Sequence, residues 1–265
     1  MVITALYAEY LKMQYNTNMC KIPKRVCVLV GAGMSAGAGI PTFRGKGGAW
    51  KTAADVRDAF EIDRFCRSKK SRELLWRWLA VSPAWDAKPT RAHWLLKRLD
   101  DEGGLISVMT QNFDMLEKKA GIHQGKIRQL HGRIDKSICL NCHRYYDTKD
   151  ICDQLDNNPD PHCIEPGCNG ILKPDIVFFG ELLDEVMLSR IAGVDLRDCD
   201  ELWCVGSSLM VYPAAGIPIQ AKALSKEVII VSTDPTGQDN IADEIIREPA
   251  DQALEKLVDR VLGQS

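Results

Sequence analysis

No stretch of this sequence reaches the ~20 consecutive apolar residues that a bilayer-spanning helix needs, so no membrane partner is expected. Nor is there a long block of one charge. The longest basic cluster, 67–72 (RSKKSR), is too short for a nucleic-acid footprint and reads as a solvated helix face. A formal charge of −2 removes any global reason to expect nucleic acid or an anionic surface as a partner. The N-terminus lacks the basic, apolar and small-residue succession of a secretory leader, and Glu9 argues against a transit peptide. The protein is therefore expected to be intracellular, by default cytoplasmic, with the compartment and the oligomeric state left open. Internal repeats and low-complexity tracts are also missing.

What is present suits one substantial core plus a smaller module: 265 residues, 45% hydrophobic and 26% charged. In a reducing compartment the ten cysteines are more apt to hold metal than to form disulfides. Residues 1–20 carry Leu6, Tyr10 and Met13 at helical spacing. Val26–Val30 (VCVLV) is a continuous apolar run ending in glycines, as in a strand buried on both faces. Leu105–Met109, Ile176–Phe179, Leu202–Val205 and Val228–Val231 read the same way. Helical patterns cover 72–80, 92–100, 213–224 and 251–262. Strands alternating with helices predict an α/β fold with a doubly wound, Rossmann-like parallel sheet. Two stretches break the rhythm and predict a second, smaller helical and zinc-binding lobe. Within a single catalytic domain spanning 1–265, the sheet lobe takes 22–45, 101–135 and 171–262. The helical insertion takes 46–100 and the metal module 136–170.

Three sets of residues carry chemistry. After the first strand, Gly31-Ala32-Gly33-Met34-Ser35-Ala36 forms a Gly-x-Gly-x-x-Ala turn suited to a pyrophosphate. An ordinary dehydrogenase would follow with a second strand ending in an acidic residue, yet the interval reads GKGGAWKTAADVRDAF, which weakens hydride transfer. Cys139-x2-Cys142 and Cys163-x4-Cys168, separated by 20 residues, can place four thiolates tetrahedrally around zinc. Four thiolates leave no open position, so the site should be structural. Cys152 has no knuckle partner, and His143 and His162 would be ligands only if a thiol were not. Finally, Thr110-Gln111-Asn112-Phe113-Asp114 and His131 end two strands, where ligands gather in open α/β sheets. A histidine there, with Asn112 and Asp114 nearby, can serve as a general base.

In combination these motifs resemble the sirtuins. GAGMSAGAGIPTFRG (31–45), TQNFD (110–114), HGRI (131–134), the two cysteine pairs, FGE (179–181) and GSSLMVYPAA (206–215) follow in the family's order, over about residues 24–262. The threonine of PTFRG, the GGAW at 47–50 and the x4 knuckle look most like the class III branch, which removes acidic acyl groups. The resemblance implies an NAD-dependent protein-lysine deacylase that passes the acyl group to ADP-ribose and releases nicotinamide. NAD would lie across the 31–50 loop, with Ile40, Pro41, Thr42, Phe43, Arg44 and Trp50 beside Gly31, Ala32, Gly33 and Ala36. Gln111, Asn112, Phe113 and Asp114 would line the nicotinamide pocket. Gly206, Ser207 and Ser208 would hold phosphate or ribose, Ser232, Thr233 and Asp234 the adenine ribose, and Ala250 the adenine. His131 would be the base, and an acyl-lysine peptide would pair with Phe179-Gly180-Glu181 as an added strand. One structural zinc ion would sit on the four cysteines.

Two departures bear on substrate. Class III enzymes carry a Tyr-x-x-Arg pair that grips an acyl carboxylate, and alignment back from Pro89 and His93 puts Arg77 and Ala80 at those positions. Two readings stay open for Arg77, a bidentate pair with a carboxylate or a solvent-facing place beside Trp76 and Trp78, while Ala80 leaves room for a longer or neutral chain. Ser232 replaces the family's usual Asn, a loss of about 1 kcal/mol in ribose binding. Mono-ADP-ribosyl transfer or NAD hydrolysis in the same pocket, and a non-enzymatic NAD sensor, are the competing readings.

Overall fold

The computed structural model describes residues 23–42 and 54–263. The helix expected over 1–20 lies outside them, as do Phe43, Arg44 and Trp50. Among the described residues, six strands form a fully parallel sheet in the order β3-β2-β1-β7-β8-β9. They are β1 (Val26–Val30), β2 (Leu105–Thr110), β3 (Ile127–Gln129), β7 (Glu201–Val205), β8 (Glu227–Val231) and β9 (Glu244–Ile246). The doubly wound fold is thus as the alternation predicts. The chain moves outward from β1 to β2 and β3, then returns to β1's other side for β7, β8 and β9. That reversal between β1 and β7 is where ligands bind in such sheets.

Register decides which residues meet there. Val30 pairs with Thr110 on one side and Val205 on the other, Thr110 with Gln129, and Val205 with Val231. The residues just beyond, 31, 111, 130–131, 206 and 232, therefore emerge along one edge.

Both faces of this sheet are covered. Helix α4 (Arg91–Asp101) and helix α8 (Ala250–Leu262) bury Leu96, Leu99, Leu254 and Leu257 against Val28, Val108 and Ile229. Leu196, Ile217 and Ala221 cover the other face around Leu29, Cys204 and Ile230. Burying such aliphatic side chains is worth roughly 1.5–3 kcal/mol each. The boundary at residue 100 requires correction. The 92–100 pattern belongs to α4, which packs on the parallel sheet and not in the helical insertion. Amphipathicity identifies a buried face without saying which core receives it.

The smaller lobe has its own core. Strands β5 (Tyr145–Asp147), β4 (Gly132–Cys139) and β6 (Leu172–Ile176) form an antiparallel sheet. Helices α1 (Ala54–Ala59), α2 (Ile62–Arg67), α3 (Lys69–Ala80) and α5 (Thr148–Cys152) pack with it. Phe65, Trp76 and Leu79 from the helices meet Ile134, Leu172 and Phe178 from the sheet side. The two insertions thus make one lobe. The run Ile176–Phe179 is not a strand of the parallel sheet, because Ile176 ends β6 and Phe178 turns into the small-lobe core. The 170/171 boundary falls too early for the same reason.

The basic cluster at 67–72 also differs from expectation at one position. Ser68 caps α3, accepting from the Ser71 N–H at 3.2 Å. Arg72 is buried and reaches Asp160 through Nε (2.6 Å) and Nη2 (2.8 Å) while donating to the carbonyls of Phe65 and Cys66. This bidentate pair ties the helices to the cysteine module. No described helix is long and apolar enough to cross a membrane.

Candidate active site

The strand reversal opens into a cavity of about 920 Å³ lined by both lobes. Its floor is a close approach of two turns. Gly31 donates to Val205 O (2.9 Å) and Gly33 to Gly206 O (2.8 Å). A Cβ on Gly31 would lie 2.7 Å from Gly206 O, one on Gly33 2.8 Å from Gly206 Cα, and one on Gly206 2.5 Å from Met34 N. Gly206 also has φ +64, which excludes most side chains. These glycines allow the two loops to touch, and all three of their N–H groups are satisfied inside the protein, that of Gly206 by Val231 O at 2.9 Å. The cradle that results fits a dinucleotide laid over the strand ends. Ala32, Ala36, Thr42, Ser207 and Ser208 line it, with Ser232, Thr233, Asp234 and Ala250 at the far end. Ser232 Oγ donates to Asp234 O at 2.8 Å, which braces that loop.

The TQNFD segment is locked from several sides. Gln111 Nε2 donates to Val30 O (3.2 Å) and Ser207 Oγ (2.9 Å), linking three loops. Asn112 Nδ2 donates to Gly31 O (3.1 Å) and Ser35 Oγ (3.2 Å). Ser35 Oγ in turn donates to Asp114 Oδ2 at 2.7 Å, and Asp114 Oδ1 accepts the Leu116 N–H at 2.9 Å. Burial pushes the Asp114 carboxyl above its ordinary range, opposed by the bonds from Ser35 and Leu116. Asp114, Ile40 and Pro41 do not line the large cavity. They line a separate hollow of about 40 Å³ beside Ala32, Ser35, Asn112 and Trp78.

His131 stands on the opposite wall. Leu130 N donates to Thr110 O and Val177 N to His131 O (3.0 Å), so the backbone is clamped on both sides. Gly132 next to it has φ +80, and a Cβ there would fall 2.0 Å from Asp175 O, so only glycine continues the chain. His131 Nδ1 lies 3.0 Å from Gln111 O. A carbonyl only accepts, so Nδ1 carries the proton and Nε2 is left as the basic nitrogen. Burial pushes the imidazole below its ordinary 6.5, partly offset by the Gln111 carbonyl. It is therefore neutral at pH 7.

At the mouth, Phe179, Gly180 and Glu181 line the cavity, with Phe60, Ile176 and Phe178 forming an apolar wall. Phe60 and Phe178 meet edge to face at 5.2 Å. Arg77 and Ala80 reach neither hollow. The inward stripe of α3 is Ser71, Arg72, Leu75, Trp76 and Leu79, so Arg77 points to solvent, while Ala80 packs against the small-lobe core. Their expected place beside an acyl group is not where the helix phase puts them.

The sulfurs of Cys139, Cys142, Cys163 and Cys168 lie within 4.8 Å of one another. This donor set fits a tetrahedral thiophilic cation such as zinc, with every position filled by thiolate. Gly170 N–H and Asn141 Nδ2 bond Cys168 Sγ and pull that thiol down to about 6. Cys152 is buried away from the cluster in the lobe's core, and neither His143 nor His162 joins it. His93 is structural as well, its Nδ1 accepting from Thr90 N in the cap of α4.

Sequence reasoning missed Ser35, which is fully buried and bridges Asn112 and Asp114. It lies inside the glycine motif, so its signal was position alone. Phe60, Phe178 and Met210–Tyr212 also line the cavity without having been singled out.

A parallel sheet with a glycine cradle at its reversal, a neutral histidine on one wall and a four-thiol lobe defines a two-lobed dinucleotide-binding protein. Comparison with known proteins narrows the class. The Sir2 family model matches residues 31–213. NAD-dependent protein deacylase 2 of Archaeoglobus fulgidus is 37% identical over 239 residues, covering 90% of this chain and 91% of that protein. A Sir2 structure holding a deacetylated p53 peptide and 3′-O-acetyl ADP-ribose superposes with TM-score 0.81 at 30% identity, over 96% of this chain and 98% of that one. Sir2Tm bound to a propionylated peptide gives TM-score 0.78 at 30% identity, over 96% and 100%. The chain belongs to the Sir2 family.

Proposed function

We propose that this protein is an NAD-dependent protein-lysine deacylase that passes the acyl group to ADP-ribose, with His131 as general base. The observation that carries the reading is the His131 geometry. A neutral imidazole has its Nδ1 proton committed to Gln111 O and faces the cavity beside the dinucleotide cradle. When bound, NAD supplies an electrophilic ribose carbon as nicotinamide departs. The remaining tasks fall to side chains. Asn112, held by Gly31 O and Ser35, and Asp114, held by Ser35, form the wall of the hollow assigned to nicotinamide. His131 Nε2 takes a proton from a ribose hydroxyl, which suits a base poised below neutrality. Gln111 ties the His131 loop to Ser207, so base and cradle keep a fixed spacing.

The acyl-lysine enters at the mouth and runs along the 179–181 edge, pairing its backbone beyond Phe179, whose own N–H and C=O are engaged by Phe60 and Ile62. The acyl group it carries is neutral. Among the described residues lining the cavity the charged ones are Glu181, Asp234, Glu248 and Asp251, all acidic, and the wall nearest the small lobe is Phe60, Ile176 and Phe178. A carboxylated chain would find no counter-charge among these described residues. The four-cysteine zinc ion holds the small lobe together and takes no part in chemistry. Both lobes act as one catalytic unit. The setting is intracellular, where thiols stay reduced; none of the nine described cysteines is in a disulfide.

The test is to incubate the protein with NAD and acetyl-, propionyl- and succinyl-lysine peptides and follow O-acyl-ADP-ribose by mass spectrometry. Its formation by the native protein and its absence with His131→Ala are expected. ADP-ribose without deacylated peptide would instead select NAD hydrolysis, and full activity in His131→Ala would sink the assignment.

A further inference from the structure

The edge assigned to the peptide is held from beneath by a side chain that does not line the cavity. Lys173, on β6, is only 4% exposed. Its Nζ donates to Glu181 Oε2 (2.9 Å), Ile176 O (2.7 Å) and Pro174 O (3.2 Å), which uses all three ammonium protons. It also lies 4.2 Å from the centre of the Phe178 ring. The Glu181 carboxylate accepts the Phe178 N–H at 2.7 Å. Phe179 is fixed on its other side, donating to Phe60 O (2.8 Å) and accepting from Ile62 N (3.0 Å). Gly180, at φ +91, closes the turn between these two anchors.

Stability alone does not call for an ammonium here. Burying one is costly, and an apolar residue of similar length would fill the space. Burial indeed pushes the Lys173 amine below its ordinary range, against the pull of Glu181. What the lysine adds is direction, because three oxygens must sit at fixed bearings around one nitrogen.

We propose that Lys173 is a positioning residue for acyl-peptide binding: through Glu181 and the carbonyls of Pro174 and Ile176 it sets the 178–181 edge at the cavity mouth. It thereby governs affinity for the peptide and leaves affinity for the dinucleotide alone. This rests on the reading that the 179–181 edge receives the substrate.

The experiment compares the native protein with Lys173→Met, Lys173→Arg, Glu181→Gln and the Lys173→Met/Glu181→Gln double variant. It measures kcat and KM for an acetyl-lysine peptide, and the Kd of ADP-ribose by calorimetry. Lys173→Met should raise the peptide KM about tenfold, the effect of losing one charge-assisted bond, with kcat and the ADP-ribose Kd within about twofold. Lys173→Arg should recover most of that loss. The double variant should be no worse than the larger single one, because the lysine acts through the carboxylate. An unchanged peptide KM in Lys173→Met, a parallel rise in the ADP-ribose Kd, or multiplying single effects would overturn the inference. Should Lys173→Met fail to fold, Glu181→Gln decides, and an unchanged peptide KM there overturns it equally. A native protein that turns over no acyl-peptide would overturn the functional reading and this inference with it. An active native protein with an indifferent Lys173→Met sinks this inference alone.

Discussion

Glu117 offers the sharpest test of how the active-site floor is built. It follows Asp114 by three residues and is 2% exposed, and its Oε1 finds no hydrogen-bond partner among the described residues. Burial, reinforced by the neighbouring Asp114 charge, pushes this carboxyl up to about 8 from an ordinary 4.5. The native state thus holds a proton there that the unfolded chain has released. The linkage sign follows. Stability from this proton is complete below pH 4.5 and is lost as pH rises toward 8. At ~1.4 kcal/mol per pH unit, Glu117 costs about 3 kcal/mol at pH 7 and about 5 kcal/mol by pH 9, relative to a neutral isostere. Glu117→Gln should therefore match the native protein near pH 4.5 and exceed it by those margins at higher pH. Urea denaturation of both proteins at half-unit steps from pH 5 to 9 measures the difference directly. A difference that stays flat with pH would refute the reasoning. So would a variant less stable at every pH, which would mean that Glu117 is ionised and paired in the fold.

Four further outcomes are expected. Cys142→Ser should lose bound zinc and melt the small lobe early, checked by metal analysis and calorimetry, since a four-thiolate site contributes folding energy outright. Gly206→Ala should weaken ADP-ribose binding more than about tenfold in calorimetry, because its Cβ would press to 2.5 Å from Met34 N at a positive φ. The acidic limb of kcat/KM should have its midpoint below 6.5, activity rising with pH as buried His131 loses its proton; a midpoint above 6.5 counts against that base. Arg77→Ala should change rates on succinyl- and acetyl-lysine peptides equally, since Arg77 faces solvent; a selective loss on the succinyl peptide would place it at the acyl group.

The parts of this molecule legible in its sequence are those whose physics is local. VCVLV reads as a strand buried on both faces and is one, and the spacing of Cys139, Cys142, Cys163 and Cys168 announced a metal cluster whose sulfurs do converge. The three-residue edge strand β9 left no trace, because Glu244–Ile246 is too short and too mixed to form an apolar run, while β3 (Ile127–Gln129) was legible only as a short strand ending near His131. The misplacements share another cause. Leu96 and Leu99 show that 91–101 has an inward face, and Ile176 and Phe178 show that 176–179 is buried, but a periodicity does not say which of two cores receives it. Arg77 failed differently, because an alignment placed it while the stripe of Leu75, Trp76 and Leu79 already turned it outward. Glu117 is the extreme case. Its charged surroundings in Leu116-Glu117-Lys118-Lys119 gave no sign of burial, yet the helix is a single turn beside Asp114 and Glu117 within it is 2% exposed. A sheet reversal brings distant loops together, and what they enclose is decided by contacts at long sequence separation. It follows that the glycine cradle, the place of His131 at a strand end and the metal cluster were readable from motifs, while Ser35, Glu117 and Lys173, which pack beneath or beside them, emerged only once the lobes were assembled.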